Sequence, residues 1–239
     1  MPVFNNPFPA NITAFISDRT VDFTLNKNNP DLTKKQRELL LNQLGFDLPE
    51  PRPILQVHSD KIVIVDEDSL KKRPVLHKAD GLITRIPGQP LVIRTADCLP
   101  VFMYDPENKG IGLIHVGRRG AANNILREAV SQMKAEWQTK TKAIKVCLGP
   151  AIRSCCYKVG EEFQEHFPED LTVKDGRYYL DLIQVCKSQL VDLGLQDKSI
   201  LDRGICTCCD KSYFSYRREG ESAGRMISLM MLREGQTKK

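Results

Sequence analysis

An irregular alternation of two hydrophobic periods constrains this chain more than any other feature. Short β-branched runs such as Ile62-Val-Ile-Val65 and Leu91-Val-Ile-Arg94 predict strands. Apolar residues at Leu126, Ala129, Val130, Met133 and Trp137, and again at Leu182, Val185, Cys186, Leu190 and Leu193, fall on single helical faces. Because the two patterns interleave without a fixed order, an α+β (mixed α/β) fold is expected, with mixed β-sheets packed centrally and helices outside, rather than a regular parallel doubly wound sheet. The 239 residues are expected to form a single domain over 1–239.

Local signals place the chemistry-bearing residues on these elements. Thr33 stands three residues before Gln36 and the run ends on Gly45, which predicts a helix opened by a capping box and closed by a left-handed glycine. Pro53-Ile-Leu-Gln-Val57 and Lys61-Ile-Val-Ile-Val65 read as strands joined through His58-Ser59-Asp60, so His58 is expected at a strand end. Leu91–Arg94 and Leu99–Tyr104 flank Thr95-Ala-Asp-Cys98, and Asp105–Gly110 turns the chain into Ile111–His115. Cys98 and His115 are then expected to face each other across neighbouring strands. A long amphipathic helix is predicted just beyond Gly117-Arg-Arg-Gly120, with free N–H groups at its start. Ala143–Leu148 reads as a buried strand, Lys158–Phe167 as a short helix, and Met226–Leu232 fits either helix or strand.

Composition narrows the function classes. The net charge of +5 is spread along the chain rather than gathered into a basic tract, which disfavours a nucleic-acid partner and suits anionic small molecules. The start, MPVFNNPFPANITAF, lacks a basic region followed by an apolar one, and no uninterrupted apolar run reaches membrane-spanning length, so a cytoplasmic protein without membrane association is expected. Eight cysteines in such a chain read as reduced thiols. Cys155-Cys156 and Cys206-x-Cys208-Cys209 are read as packing thiols, because the latter lacks the paired second half of a structural zinc motif.

Two of the four histidines, His58 and His115, lie at predicted strand ends, where sites are commonly built. Zinc accepts imidazole nitrogen and thiolate sulfur, and a catalytic zinc keeps three protein ligands and an open position. His58, Cys98 and His115 match that count. Asp97, beside the thiolate, is a candidate catalytic residue that orients a ligand or accepts a proton. Arg119, beside Gly117 and Gly120 at the predicted helix start, is a candidate for binding phosphate. His77 and His166 lie in charged surroundings and read as surface residues.

Gln56-Val-His-Ser-Asp60, Arg94-Thr-Ala-Asp-Cys-Leu-Pro100 and His115-Val-Gly-Arg-Arg-Gly120 resemble three signature segments of the bacterial YfiH-type laccase-domain (polyphenol oxidase) family, whose members are described as purine nucleoside phosphorylases. The resemblance continues through Leu148–Ile152, Cys155-Cys-Tyr157, Cys206–Asp210, Phe214-Ser-Tyr-Arg-Arg218 and Gly224-Arg225. It implies that His58, Cys98 and His115 bind zinc and that Arg37, on the early helix, reaches the active site. It further implies that adenosine, inosine, guanosine or methylthioadenosine reacts with phosphate to give base and ribose 1-phosphate, with adenosine deamination as a companion activity. Purine nucleosides and phosphate are the expected partners, and the expected state is a monomer or small homo-oligomer. Alternatives are a copper-dependent phenol oxidase, an editing hydrolase of a peptidoglycan precursor, and a non-catalytic zinc-stabilised binding module. The chain departs from the family pattern at Val116 and Arg118, where Ala and Trp are usual, and at Phe23–Lys27, where a glycine-rich segment is usual.

Overall fold

A computed structural model describes residues 6–24, 33–44, 48–52, 54–71 and 76–233. In chain order, its elements up to the first ligand-bearing sheet are β1 (Ile12–Ile16), α1 (Lys34–Leu44), β2 (Ile54–Leu55), β3 (Ile62–Val65), α2 (Glu67–Lys71), β4 (His77–Lys78), β5 (Gly81–Thr84), β6 (Leu91–Thr95), β7 (Leu99–Asp105) and β8 (Gly110–Val116). The second half supplies α3 (Arg118–Ala122), α4 (Ile125–Trp137), β9 (Lys145–Leu148), β10 (Lys158–Val159), β11 (Leu171–Lys174), β12 (Arg177–Leu180), α5 (Leu182–Asp192), β13 (Ile200–Asp202), α6 (Tyr216–Glu219) and β14 (Met226–Leu232).

A six-stranded mixed sheet in the order β13-β9-β7-β8-β5-β3 faces an antiparallel sheet in the order β1-β14-β6. Alternation along β7 explains the stacking: Leu99, Val101 and Met103 point toward Leu126, Val130 and Met133 of α4 and Leu190 of α5. Phe102 and Tyr104 point the other way, against Ile12, Ile93, Met226 and Met230 of the antiparallel sheet. The outer side of that sheet, with Phe15, Val92, Ile227 and Leu229, is covered by Leu40 of α1 together with Phe23 and Leu48. Helices therefore lie outside two central sheets, as expected for the α+β class.

Burial of both faces of β14 accounts for its ambiguous pattern, because a strand covered on both sides carries no polar alternation. The capping box is present: Thr33 N–H donates to Gln36 Oε1 (3.0 Å) and Gln36 N–H to Thr33 Oγ1 (3.2 Å). Gly45, Pro53 and Asn26-Lys27 lie outside the described residues.

Three local expectations are corrected. The helix beyond Gly117 begins within the glycine segment as the short α3, and Asn124, at φ 56°, breaks it before the amphipathic α4. Lys158–Phe167 is not an α-helix. Lys158 and Val159 pair with Tyr179 and Tyr178, and Glu161–Glu165 forms a 3₁₀ turn that buries Phe163. His58 lies beyond the end of β2, in a loop where its own φ is 60°. No helix among the described residues is long and apolar enough to cross a membrane.

Candidate functional site

Sheet register brings the two inner ligands together. Leu99 pairs with Val116 and Pro100 with His115, so Cys98, one residue before β7, comes beside the end of β8. His58 arrives from the loop after β2, which Gln56 ties to β6 by accepting from Arg94 N–H and donating to the Arg94 carbonyl, both at 2.8 Å. The donor atoms of His58, Cys98 and His115 all lie within 4.8 Å of one another, with Cys98 Sγ 3.8 Å from His58 Nε2. The His58 and His115 rings meet edge-on at 4.9 Å between centroids. Exposure rises from His115, which is buried, through Cys98 to His58, which is exposed.

Asp80, which no sequence motif singled out, holds this arrangement. It is fully buried just before β5, and its Oδ1 accepts from His115 Nδ1 and from the His58 backbone N–H, each at 2.9 Å. Its Oδ2 accepts from Ser59 N–H (2.5 Å), Ser59 Oγ (2.8 Å) and Val57 N–H (3.3 Å). One carboxylate thus stabilises the left-handed backbone at His58 and orients His115. Burial alone would raise the Asp80 pKa, but hydrogen bonds from His115 and Ser59 hold it down to about 2. Burial opposes protonation of His115, yet Cys98 and Asp80 raise its pKa to about 9. With Nδ1 held by the carboxylate, loss of the Nε2 proton would leave that nitrogen's lone pair free for a metal, an arrangement common behind metal-bound histidines. Burial disfavours the Cys98 thiolate, yet the neighbouring His115 and His58 pull its pKa down to about 6.

Gly117 makes the close approach possible. A Cβ there would stand 2.8 Å from His58 Cδ2 and 3.1 Å from Cys98 Sγ. Asp97, at φ 85° and buried, accepts from Thr207 Oγ1 (2.6 Å), Ser215 Oγ (3.1 Å) and Arg217 N–H (2.6 Å). Its carboxylate therefore links the turn before Cys98 to the segment entering α6.

The trio opens into a cavity of 810 Å³ whose walls carry Arg94, Arg118, Lys158, Arg217 and Arg225. Asp97, bound by its three donors, is the one carboxylate among the described lining residues. Phe163, Val159, Ile152 and Leu182 add an apolar wall. Arg118 stacks over Phe163 (5.2 Å) and Arg217 over Tyr157 (5.5 Å), which braces two cations toward the space.

The arginines named from sequence do not line this cavity. Arg37 pairs with Glu50 (2.5 Å) and donates to the Leu48 carbonyl, beside Leu40 and Leu48 on the far side of the antiparallel sheet. Arg119 is exposed outside the lining, because adjacent residues at a helix start point about 100° apart and Arg118 takes the inward direction. The packing reading fits Cys147 and Cys186, which are buried, but not Cys155 and Cys209, which are exposed.

Residues 21–233 match the family described as multi-copper polyphenol oxidoreductase laccase. The chain belongs to that family. Similar members include a purine nucleoside phosphorylase of Bacteroides thetaiotaomicron, 30% identical over 83% of this chain and 79% of that protein. Another purine nucleoside phosphorylase, from Clostridium acetobutylicum, is 35% identical over 78% of each chain. Adenosine deaminase RL5, from an unknown prokaryotic organism, is 30% identical over 80% of this chain and 79% of its own length. The Bacillus licheniformis protein YfiH has a similar solved structure, with a TM-score of 0.79, 27% identity and 93% coverage of both chains.

Proposed function

We propose that this laccase-family chain is a zinc-dependent purine nucleoside phosphorylase whose active site is the cavity above His58, Cys98 and His115. The observation that carries the reading is the joining of a three-donor cluster to a deep, predominantly cationic cavity with one apolar wall. A nucleoside and phosphate together need both surfaces. The names of the relatives from Bacteroides thetaiotaomicron and Clostridium acetobutylicum support the same reaction class.

Two imidazoles and a thiolate, one imidazole backed by a carboxylate, are the donor chemistry of a catalytic zinc site. His58, Cys98 and His115 would hold the ion, which when bound supplies a Lewis acid to the substrate in the cavity. The chain's own groups do the remaining work. Arg118, Arg217 and Lys158 bind and orient the phosphate toward the sugar carbon it attacks, and the apolar wall of Phe163, Val159 and Leu182 receives the purine. Tyr157, whose pKa is pushed up to about 12 by burial and by the charge of Cys98, stays a neutral phenol that donates a hydrogen bond into the cavity. Asp97 acts as a positioning residue, since its carboxylate is occupied by Thr207, Ser215 and Arg217.

A second reading, adenosine deamination, is favoured by the similarity to a relative named adenosine deaminase and by a ligand set that leaves a coordination position free for water. Copper also accepts imidazole and thiolate, but a multinuclear copper centre needs more histidines than meet here. Of the four in the chain, His77 and His166 are exposed and outside the trio.

The deciding experiment incubates metal-quantified protein with adenosine, inosine and methylthioadenosine, with and without phosphate. Phosphate-dependent release of free base, lost in Cys98→Ala, is the expected result. Conversion of adenosine to inosine without phosphate reports the second activity. No turnover of any nucleoside at full zinc occupancy overturns the proposal.

A further inference from the structure

Away from the trio, the thiols of Cys155, Cys156, Cys206 and Cys209 converge, their sulfurs all within 4.8 Å of one another. Cys209 Sγ lies 3.3 Å from Cys156 Sγ and 3.6 Å from Cys155 Sγ, far outside S–S bonding distance. A tetrahedral zinc with Zn–S bonds of about 2.3 Å has S···S edges of roughly 3.8 Å, so the cluster already has the dimensions of that shell. Sequence order conceals it. Cys206-x-x-Cys209 carries the spacing of half a zinc motif, and its other half is the adjacent pair Cys155-Cys156, some fifty residues earlier in the chain.

The backbone builds the cluster as a clamp between two loops. Ala151 and Cys206 form a parallel β-bridge, with Thr207 N–H donating to the Ala151 carbonyl at 3.0 Å. Each loop then turns sharply, Cys156 N–H donating to the Arg153 carbonyl (2.8 Å) and Asp210 N–H to the Cys206 carbonyl (2.9 Å). Backbone N–H groups of Cys209, Cys208 and Arg153 are directed at the Cys206 sulfur. Four thiolates around a divalent ion leave net negative charge, and two arginines brace the loops that carry it. Arg218 donates to the Thr207 and Cys208 carbonyls (2.8 and 2.9 Å), and Arg217 to the Lys158 carbonyl (2.8 Å). Exposed Cys155 and Cys209 provide an entry path for the ion.

We propose that Cys155, Cys156, Cys206 and Cys209 form a second metal site, a closed tetrathiolate that binds zinc for structure rather than catalysis. The ion fixes one wall of the cavity, because Tyr157 and Lys158 directly follow Cys156 and Thr207, which holds Asp97, lies between Cys206 and Cys209. The site stands independently of whether the trio binds metal.

The test uses the full chain carrying Cys98→Ala, which disables the trio, expressed with zinc and dialysed against metal-free buffer. One zinc per chain is expected by mass spectrometric metal analysis, falling to none when Cys206→Ser is added. Cobalt loaded in place of zinc is expected to give the intense sulfur-to-metal absorption and visible bands of a tetrahedral thiolate site. Should Cys206→Ser fail to fold, Cys155→Ser, at an exposed position, is expected to lose the ion and lower Tm while keeping the native circular dichroism. A Cys98→Ala protein that holds no zinc while all four thiols can be alkylated overturns the proposal. So does a disulfide joining Cys209 to Cys155 or Cys156 in protein isolated without oxidant.

Discussion

Replacing Asp80 by asparagine removes one acceptor oxygen from the node that fixes two members of the trio. If the amide keeps its oxygen toward His115 and His58, the new NH₂ faces the N–H groups of Ser59 and Val57, which in the native protein donate to Oδ2 at 2.5 and 3.3 Å. Two part-buried donors lose their acceptor, at about 1–3 kcal/mol for the stronger and less for the longer one, or about 3 kcal/mol together. If the amide flips, His115 Nδ1 meets a donor, and the neutral ring must then carry its proton on Nε2, the nitrogen that would bind the metal. Either way the fold and the metal site weaken together. At about 2–4 °C per kcal/mol for a chain of this size, Tm should fall by about 6–12 °C. Zinc affinity should fall about 10–100-fold, the usual effect of losing the carboxylate behind a ligating histidine. Differential scanning fluorimetry and competition with a chromophoric chelator measure the two effects. An Asp80→Asn protein with wild-type Tm and wild-type zinc affinity would refute the assignment of Asp80 as the node.

Gly117→Ala places a methyl against His58 and Cys98 at distances that force one of them to move; zinc affinity should drop by roughly tenfold or more while far-ultraviolet circular dichroism stays native. Arg118→Ala should lower kcat/KM for phosphate about 10–100-fold, the worth of a charged hydrogen bond, whereas Arg119→Ala should stay within about twofold because that side chain lies outside the cavity; steady-state kinetics with varied phosphate separates them. Burial opposes ionisation of Asp202, but its ion pair with Arg153 (2.6 Å) holds its pKa down to about 2. Since the folded pKa lies below the unfolded value of about 3.9, this pair contributes about 2 kcal/mol above pH 5, and the contribution is lost as pH falls toward 2. Arg153→Met should remove that acid limb from the Tm–pH profile.

Cys98 and His115 were legible because they adjoin the strand starting at Leu99 and the strand through His115, whose periods can be read directly, whereas His58 sits in a loop between strands and its part in the trio rested on the resemblance of Gln56-Val-His-Ser-Asp60. Asp80 was not legible, because an acidic residue between Lys78 and Gly81 looks like any turn residue until the His115 ring is seen against it. Arg118 and Arg119 are chemically equivalent in sequence and both exposed, and only the direction of the first turn of α3 separates the cation that lines the cavity from the one that lies outside it. Arg37 fits the place of a site arginine along the chain, yet its helix packs on the outer face of the antiparallel sheet.

By itself the sequence determined the α+β class, the capped helix at Thr33, the two amphipathic helical faces and the approach of Cys98 to His115 at one end of the sheet, while His58 joined them only through the family resemblance. These follow from local periodicity and from residues close in register, which a linear reading can reach. Only the tertiary structure decided which cations converge on the cavity, which carboxylate stands behind His115, and that Cys155-Cys156 meets Cys206-x-x-Cys209. Those contacts join segments far apart in the chain, and their geometry is set by how two sheets and their helices stack rather than by any pattern within one segment.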